Sequence, residues 1–384
     1  MDSSYNLTKD DIHKCNGLLK DFFPKFLELA INELKTYGLS QNVLLYYSYA
    51  VQYNLQGGKM LRGTMVLSTV KSLCGTNIPE NLMTQTLIVG MYNSNHLKQF
   101  IVAWCVELLQ TSFLVADDII DKSTKRRSNT CWYLVPTIGV SNAINDVMFL
   151  YTLIYRILFN TMKDSKKFLE IIETFNRVSM TTILGQHLDI YESNSDVLFH
   201  DSKEATKLFA EICKNKTSYY SFFLPLKLGM MLSGVELSNL FYSKVESISI
   251  LIGTLFQAQD DYLDCYGDPD NFGKNGTDIQ TRKCSWLLSQ ALTIASEEQK
   301  NLIKENIGHD DNSKVDVVKS IYRELEMDKH FLNYTLYAEN KINRYFLVNK
   351  LQFSEIDKVE NQGKVVGIKT VLKWCLELIT NRSK

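Results

Sequence analysis

Two copies of the pattern Asp-Asp-x-x-Asp stand in the sequence: Asp117-Asp118-Ile119-Ile120-Asp121 and Asp260-Asp261-Tyr262-Leu263-Asp264. On a helix the first and last acid of each copy are i and i+4, one above the other. Like charges so placed repel, and carboxylates gathered in apolar surroundings need a counter-charge. Both copies do follow apolar runs, residues 108–116 before the first and 248–259 before the second. A divalent cation supplies the counter-charge, and an all-oxygen donor set suits Mg²⁺. The spacing lacks the alternating Asp-x-Asp-x-Asp-Gly of an EF-hand loop. The bland alternative, a solvated acidic helix face, usually carries more Lys and Glu in its flanks than these runs do.

Mg²⁺ held by few carboxylates shares its other positions with substrate phosphate. Cations for a polyphosphate are therefore expected nearby. The loop Gly57-Gly58-Lys59-Met60-Leu61-Arg62-Gly63 offers two, with glycines that let backbone approach an anion. It is not a Walker A loop, which needs a longer glycine spacing ending in Lys and Ser/Thr. Lys125-Arg126-Arg127 follows the first acid cluster and Gly273-Lys274-Asn275-Gly276 the second. Each alone is more often a solvated surface patch. Adjacency to the acids favours anion binding.

The elements that carry these groups read as helices. Only five prolines occur, at 24, 79, 136, 225 and 269. The long stretches free of breakers suit helices, and no regular turn signals support a strand-rich fold. No linker or repeat divides the chain, so a single domain over residues 1–384 is expected. The formal charge of −1 argues against a nucleic-acid partner bound through a basic face. No unbroken run of about 18 apolar residues appears, so no membrane span is expected. Eight cysteines lie too far apart for a zinc site or disulfide scaffold. The N-terminus has early acids and no apolar signal core, and the expected location is cytoplasmic.

Together these segments resemble the trans-prenyl diphosphate synthases, most closely the farnesyl diphosphate synthases. The resemblance runs from about Gln56 to the C-terminus. It rests on Phe113-Leu114-Val115-Ala116-Asp117-Asp118-Ile119-Ile120-Asp121 followed by Arg126-Arg127 and Cys131-Trp132-Tyr133. It rests equally on Phe256-Gln257-Ala258-Gln259-Asp260-Asp261-Tyr262-Leu263-Asp264, then Lys274 and Lys283-Cys284-Ser285-Trp286. Between them lie Asn145-Asp146, Gly185-Gln186-His187-Leu188-Asp189 and Lys216-Thr217-Ser218-Tyr219-Tyr220.

The resemblance implies an all-α isoprenoid synthase-type bundle, about ten helices around a central cavity, as a homodimer. It also implies roles. Asp117 and Asp121 would bind two Mg²⁺ with Asp118 supporting, and Asp260 a third with Asp261 and Asp264 ordering its waters. Arg126, Lys216 and Lys274 would grip an allylic diphosphate. Lys59, Arg62, Gln110 and Arg127 would hold isopentenyl diphosphate, with Arg382 and Lys384 closing over it. Thr217, Tyr220 and Gln257 would turn oxygen dipoles toward the allylic cation left when diphosphate departs. The implied reaction is condensation of isopentenyl diphosphate with dimethylallyl, geranyl or farnesyl diphosphate.

Family members making the fifteen-carbon product usually carry two aromatics below the first acid cluster. Here Phe113 is one and Ser112 stands in place of the other. By resemblance Ser112 would enlarge the cavity floor and admit a twenty-carbon product or a mixture, unless another helix refills the space. Two other readings remain open at this point: a terpene synthase on the same scaffold, and a non-catalytic regulatory subunit. The retained Lys59, Arg62, Gln110 and Arg127 favour the transferase over the first. Two intact acid clusters speak against the second.

Overall fold

The computed structural model describes residues 7–75, 95–268, 276–354 and 362–381. Lys274, Arg382 and Lys384 lie outside the described residues. The chain opens with α1 (Lys9–Asp21), α2 (Phe23–Lys35), α3 (Gln41–Leu55) and α4 (Leu61–Cys74). A capping box starts α1: the Thr8 hydroxyl accepts from Asp11 N–H, and the Asp11 carboxylate accepts from Thr8 N–H at 2.9 Å. Pro24 sits in the first turn of α2, where no backbone donor is lost.

Next come α5 (Asn95–Ile120), α6 (Gly139–Met162), α7 (Phe168–Tyr191), the single turn α8 (Val197–His200) and α9 (Ser202–Ile212). A π-helix, Cys213–Phe223, continues directly into α10 (Leu224–Leu232), and α11 (Asn239–Tyr266) follows. The chain ends with α12 (Trp286–Ile294), α13 (Glu297–Asn306), α14 (Asn312–Glu324), α15 (Met327–Ser354) and α16 (Gln362–Thr380). The helical expectation therefore holds. The count exceeds ten because short turns such as α8 are separate helices. The strands among the described residues are Lys125–Arg126 and Asn129–Thr130, paired antiparallel.

Helix α5 lies at the centre, against α4, α6 and α10. An 18-residue window of it has mean hydropathy 1.5, enough by length and composition to cross a membrane. This differs from the expectation of no such stretch, because scattered polar residues break the run without lowering its average. Of that window 78% is buried inside the protein, so its apolar surface goes into the core. Phe22 and Phe26 meet Phe100 and Trp104 at ring distances of 5.1 and 5.5 Å. A second core gathers Trp286, Tyr322 and Phe331, and a third Phe241, Ile252, Leu372 and Trp374. Burying each such side chain contributes about 2–3 kcal/mol, which fixes the helices that carry the acids.

Candidate active site

The two acid clusters face one hollow. Asp117 and Asp121 at the end of α5, and Asp260 and Asp261 near the end of α11, line the same cavity of about 740 Å³. Burial works against the Arg126 charge, but Asp118, Asp117 and, from the opposite rim, Asp260 outweigh it and hold that guanidinium above its usual pKa. Arg126 donates to Asp118 from Nε at 2.9 Å and from its terminal nitrogen at 2.5 Å, and reaches Asp117 at 3.4 Å. Asp118 is buried beneath it, off the cavity surface.

Asp261 and Asp264, expected to order waters around a metal, also accept from protein donors. Asp261 accepts from the Gln257 amide at 2.8 Å and from Trp286 N–H at 2.7 Å. Burial pushes its carboxyl up to about 7 despite those donors. Asp264 accepts from Asp278 N–H at 2.9 Å and is not part of the cavity lining. Both acids tie α11 to the segment leading into α12. Asp261 lines the cavity with Phe256, Gln257, Asp260, Leu263 and Gly267, whereas Asp264 lies off it.

Two lysines face the acids of the first rim. Lys216 Nζ lies 3.3 Å from Asp117 and 2.6 Å from Asp189. Lys283 Nζ lies 2.8 Å from Asp121 and 2.7 Å from the same Asp189 oxygen. Burial would raise the Asp189 carboxyl, but Lys216 and Lys283 outweigh it and hold it below the usual range. Burial and then Asp117 push Asp121 the other way, upward. Gln186 donates to Asp117 at 3.4 Å. Asp189 and Lys283 were quoted in the sequence without a role. Lys283 follows Arg282 in a polar segment and 94 positions separate it from Asp189, so no local pattern signals the pair.

The second cation set lines the cavity as expected: Lys59, Arg62, Gln110 and Arg127. A hairpin presents Arg126 and Arg127. Its central residues, Arg127 and Ser128, have φ of +53° and +64°, a conformation glycine or asparagine usually takes. Arg127 offsets that strain by donating to the Asn54 and Gln56 carbonyls at 3.1 and 3.2 Å. Gly58 lies under the Arg127 guanidinium, where a Cβ would sit 2.9 Å from its carbon and push it aside. Behind the hairpin, buried Asp146 accepts from Trp132 Nε1 at 2.8 Å and Tyr46 hydroxyl at 2.7 Å. Arg62 donates to Ser221 at 2.7 Å and to Tyr220 at 3.2 Å, and lies over the Tyr220 ring.

The π-helix presents Lys216, Thr217, Tyr220 and Ser221 to the cavity together. The Thr217 hydroxyl donates to Gln257 Oε1. Two of the three expected dipoles, Thr217 and Gln257, thus join a line that ends on Asp261, while the Tyr220 hydroxyl accepts from Arg62. Below the rims the walls are aromatic. Phe113 meets Tyr220 edge-on at 5.7 Å, and Phe222 meets Phe256 at 5.6 Å.

Ser112 is the expectation the structure corrects. It is 1% exposed, absent from the cavity lining, and donates to the Leu109 carbonyl one turn back. Five residues before Asp117, it lies about 140° around the helix from it, whereas Phe113 lies only about 40° away. Ser112→Phe must displace packed core and is expected to destabilise the protein by about 1–3 kcal/mol with its product unchanged. Chemical denaturation and product chromatography check this; a shorter product would return Ser112 to the floor.

Among the described residues, no three His, Cys, Asp or Glu side chains converge as a ready-made metal site. The donors nevertheless fit Mg²⁺: hard carboxylate oxygens, one or two per rim, facing a hollow that leaves the remaining positions to substrate oxygens.

The family described as polyprenyl synthetase matches residues 45–325. A farnesyl pyrophosphate synthase of Saccharomyces cerevisiae is 37% identical over 94% of this chain and 96% of its own. One from Zea mays is 38% identical over 87% of each. Among solved structures, a T. brucei farnesyl diphosphate synthase complexed with minodronate superposes with a TM-score of 0.81 at 26% identity, over 94% of this chain and 98% of that one. With the cavity, its acids and its cations already placed, the family match makes the assignment: this chain belongs to the polyprenyl synthetase family and is a trans-prenyltransferase.

Proposed function

We propose that this enzyme condenses isopentenyl diphosphate with dimethylallyl and then geranyl diphosphate to make farnesyl diphosphate, with three Mg²⁺ per site. The observation that carries the reading is one cavity lined both by two acid rims and by a second cation set, Lys59, Arg62, Gln110 and Arg127. That is room for two diphosphates, which a terpene synthase acting on one substrate does not need. Bound Mg²⁺ neutralises diphosphate charge and so makes it a competent leaving group. Arg126, Lys216 and Lys283 hold the allylic diphosphate with its departing oxygen toward the rims. The second set orients isopentenyl diphosphate so that its double bond faces the allylic carbon. Thr217, Tyr220 and Gln257 present oxygens to the developing cation, and the aromatic walls exclude the water that would quench it. The departed diphosphate takes the proton from the new chain. Phe113, lining the cavity one turn below Asp117, favours the fifteen-carbon product over geranylgeranyl diphosphate.

Exposed Val140, Ile144 and Met148 on α6, and Met180, Ile183 and Leu184 on α7, support a homodimer formed through these helices. The eight free cysteines support a reducing compartment such as the cytoplasm.

The test supplies Mg²⁺ with geranyl or farnesyl diphosphate, alone and then with isopentenyl diphosphate. Farnesyl diphosphate from the geranyl mixture, and nothing from either allylic substrate alone, is expected. A hydrocarbon or alcohol from farnesyl diphosphate alone, with no elongation, contradicts it, and inactivity with every substrate favours the regulatory subunit. Chelation should abolish turnover reversibly while the thermal midpoint moves by less than about 3 °C, because Lys216, Lys283 and Arg126 already pair with the acids of the first rim. A large fall in that midpoint would make the metal structural.

A further inference from the structure

Lys59 and Arg62, two cations of the second set, flank a sharp bend. Met60 between them has φ of +54° and ψ of +37°, a left-handed conformation that a residue other than glycine holds only where its surroundings fix it. Met60 is also the N-cap residue of α4, and its side chain makes no capping bond. The first bond of the α4 ladder runs from Thr64 N–H to the Met60 carbonyl at 3.0 Å, so the Lys59 carbonyl falls outside that ladder. Arg62 is held by Ser221 and Tyr220, whereas the Lys59 side chain is exposed and takes its direction from its backbone.

The group that fixes this bend comes from α1, which precedes every segment on which the resemblance rests. Asn16 Nδ2 donates to the Lys59 carbonyl at 2.9 Å and to Thr64 Oγ1 at 2.8 Å. The Thr64 hydroxyl gives its own hydrogen to the Met60 carbonyl at 2.6 Å, so its oxygen is left to accept. Both partners therefore need hydrogens, which decides that the nitrogen end of the Asn16 amide faces them, with one N–H for each. The amide thus spans the bend, from the residue before Met60 to the fourth residue of α4. Helix α1 is a firm base for it. It runs antiparallel to α4, with Asp11 and Lys71 paired at 2.8 Å toward one end. At the other end Leu19 packs on Gly63, where a Cβ would lie 2.6 Å from Leu19 Cδ2, and Trp104 Nε1 donates to the Leu19 carbonyl at 3.0 Å. Asn16 itself does not line the cavity.

We propose that Asn16 is a positioning residue for isopentenyl diphosphate: by holding the bend at Met60 it aims Lys59 and Arg62 at one diphosphate. It touches no substrate and takes no part in the chemical step. This rests on the prenyltransferase assignment and on the second cation set holding isopentenyl diphosphate.

Asn16→Ala removes the amide, and Asn16→Leu keeps most of its volume without either N–H. Both residues are better helix formers than Asn, so α1 should persist, and the thermal midpoint checks that. With geranyl diphosphate saturating, each variant should raise KM for isopentenyl diphosphate about fivefold, with kcat and KM for geranyl diphosphate within about twofold of wild type. Calorimetry in Mg²⁺, with a non-hydrolysable allylic diphosphate already bound, should show the same loss of about fivefold in affinity for isopentenyl diphosphate. The allylic analogue itself should bind as it does to wild type. A rise under about threefold, or an equal rise for both substrates, overturns the proposal. So does a leucine variant that behaves as wild type, because volume and not hydrogen bonding then holds the bend. Lys59→Met separates this failure from that of the reading beneath it. If it leaves KM for isopentenyl diphosphate unaltered, the second cation set is misassigned and the proposal falls with it; if it raises that KM while the Asn16 variants do not, Asn16 alone is at fault.

Discussion

Asp117→Ala and Asp260→Ala are each expected to lower kcat for chain elongation by about a thousandfold, about 4 kcal/mol of transition-state stabilisation. Each removes a carboxylate that faces the shared cavity from its own rim. The fold should survive both changes. In the first variant Arg126 keeps Asp118 at 2.5 Å and Lys216 keeps Asp189 at 2.6 Å. Circular dichroism and the thermal midpoint check that, and single-turnover kinetics with geranyl diphosphate measure the chemical step. Turnover within tenfold of wild type in either variant would remove that rim from the leaving-group chemistry. Asp118→Asn should behave differently. It lies beneath Arg126, off the cavity, so its loss acts through the position of the guanidinium and raises KM for the allylic substrate more than it lowers kcat.

The second large effect is expected at Lys283. Its ammonium joins Asp121 to Asp189 at 2.8 and 2.7 Å and is almost fully buried. Asp121 and Asp189 raise its pKa against burial and the neighbouring Lys216 charge, so it stays protonated and available to a phosphate oxygen. Lys283→Met keeps most of the stem and removes the charge. Elongation should fall about a hundredfold in kcat/KM, mainly through KM for the allylic diphosphate. The metal-free protein should lose about 3 kcal/mol, because a buried carboxylate pair is left with one lysine. Adding Asp189→Asn should restore most of that stability while activity stays low. A double variant as unstable as the single one would show that the lysine acts by packing instead of charge.

The acid clusters were legible because their chemistry is local: three like charges within five residues declare a counter-ion wherever the chain folds. The four cations of the second set were legible through resemblance, and all four line the cavity. What the sequence hid depends on distance or on register. Asp189 and Lys283 meet only after α7 and the segment before α12 have folded, and no spacing rule connects them. For Ser112 helical rotation alone already points away from the Asp117 face; only the resemblance places it on the floor, and the structure follows the rotation. The π-helix of residues 213–223 has no pattern that separates it from an α-helix in the bare sequence. It arises where α7 and α11 close on both sides, and it brings Lys216, Thr217, Tyr220 and Ser221 to one surface. The hairpin at Arg127 and Ser128 likewise carries no glycine signal, since its strain is met by contacts with the distant Asn54 and Gln56 carbonyls.

The most direct test is anomalous diffraction from crystals grown with Mn²⁺ in place of Mg²⁺ and a non-hydrolysable allylic diphosphate. The account predicts metal peaks at both rims, about 2.0–2.3 Å from carboxylate oxygens of Asp117, Asp121 and Asp260, each shared with a diphosphate oxygen. A diphosphate bound by Arg126, Lys216 and Lys283 with no metal at either rim would contradict it.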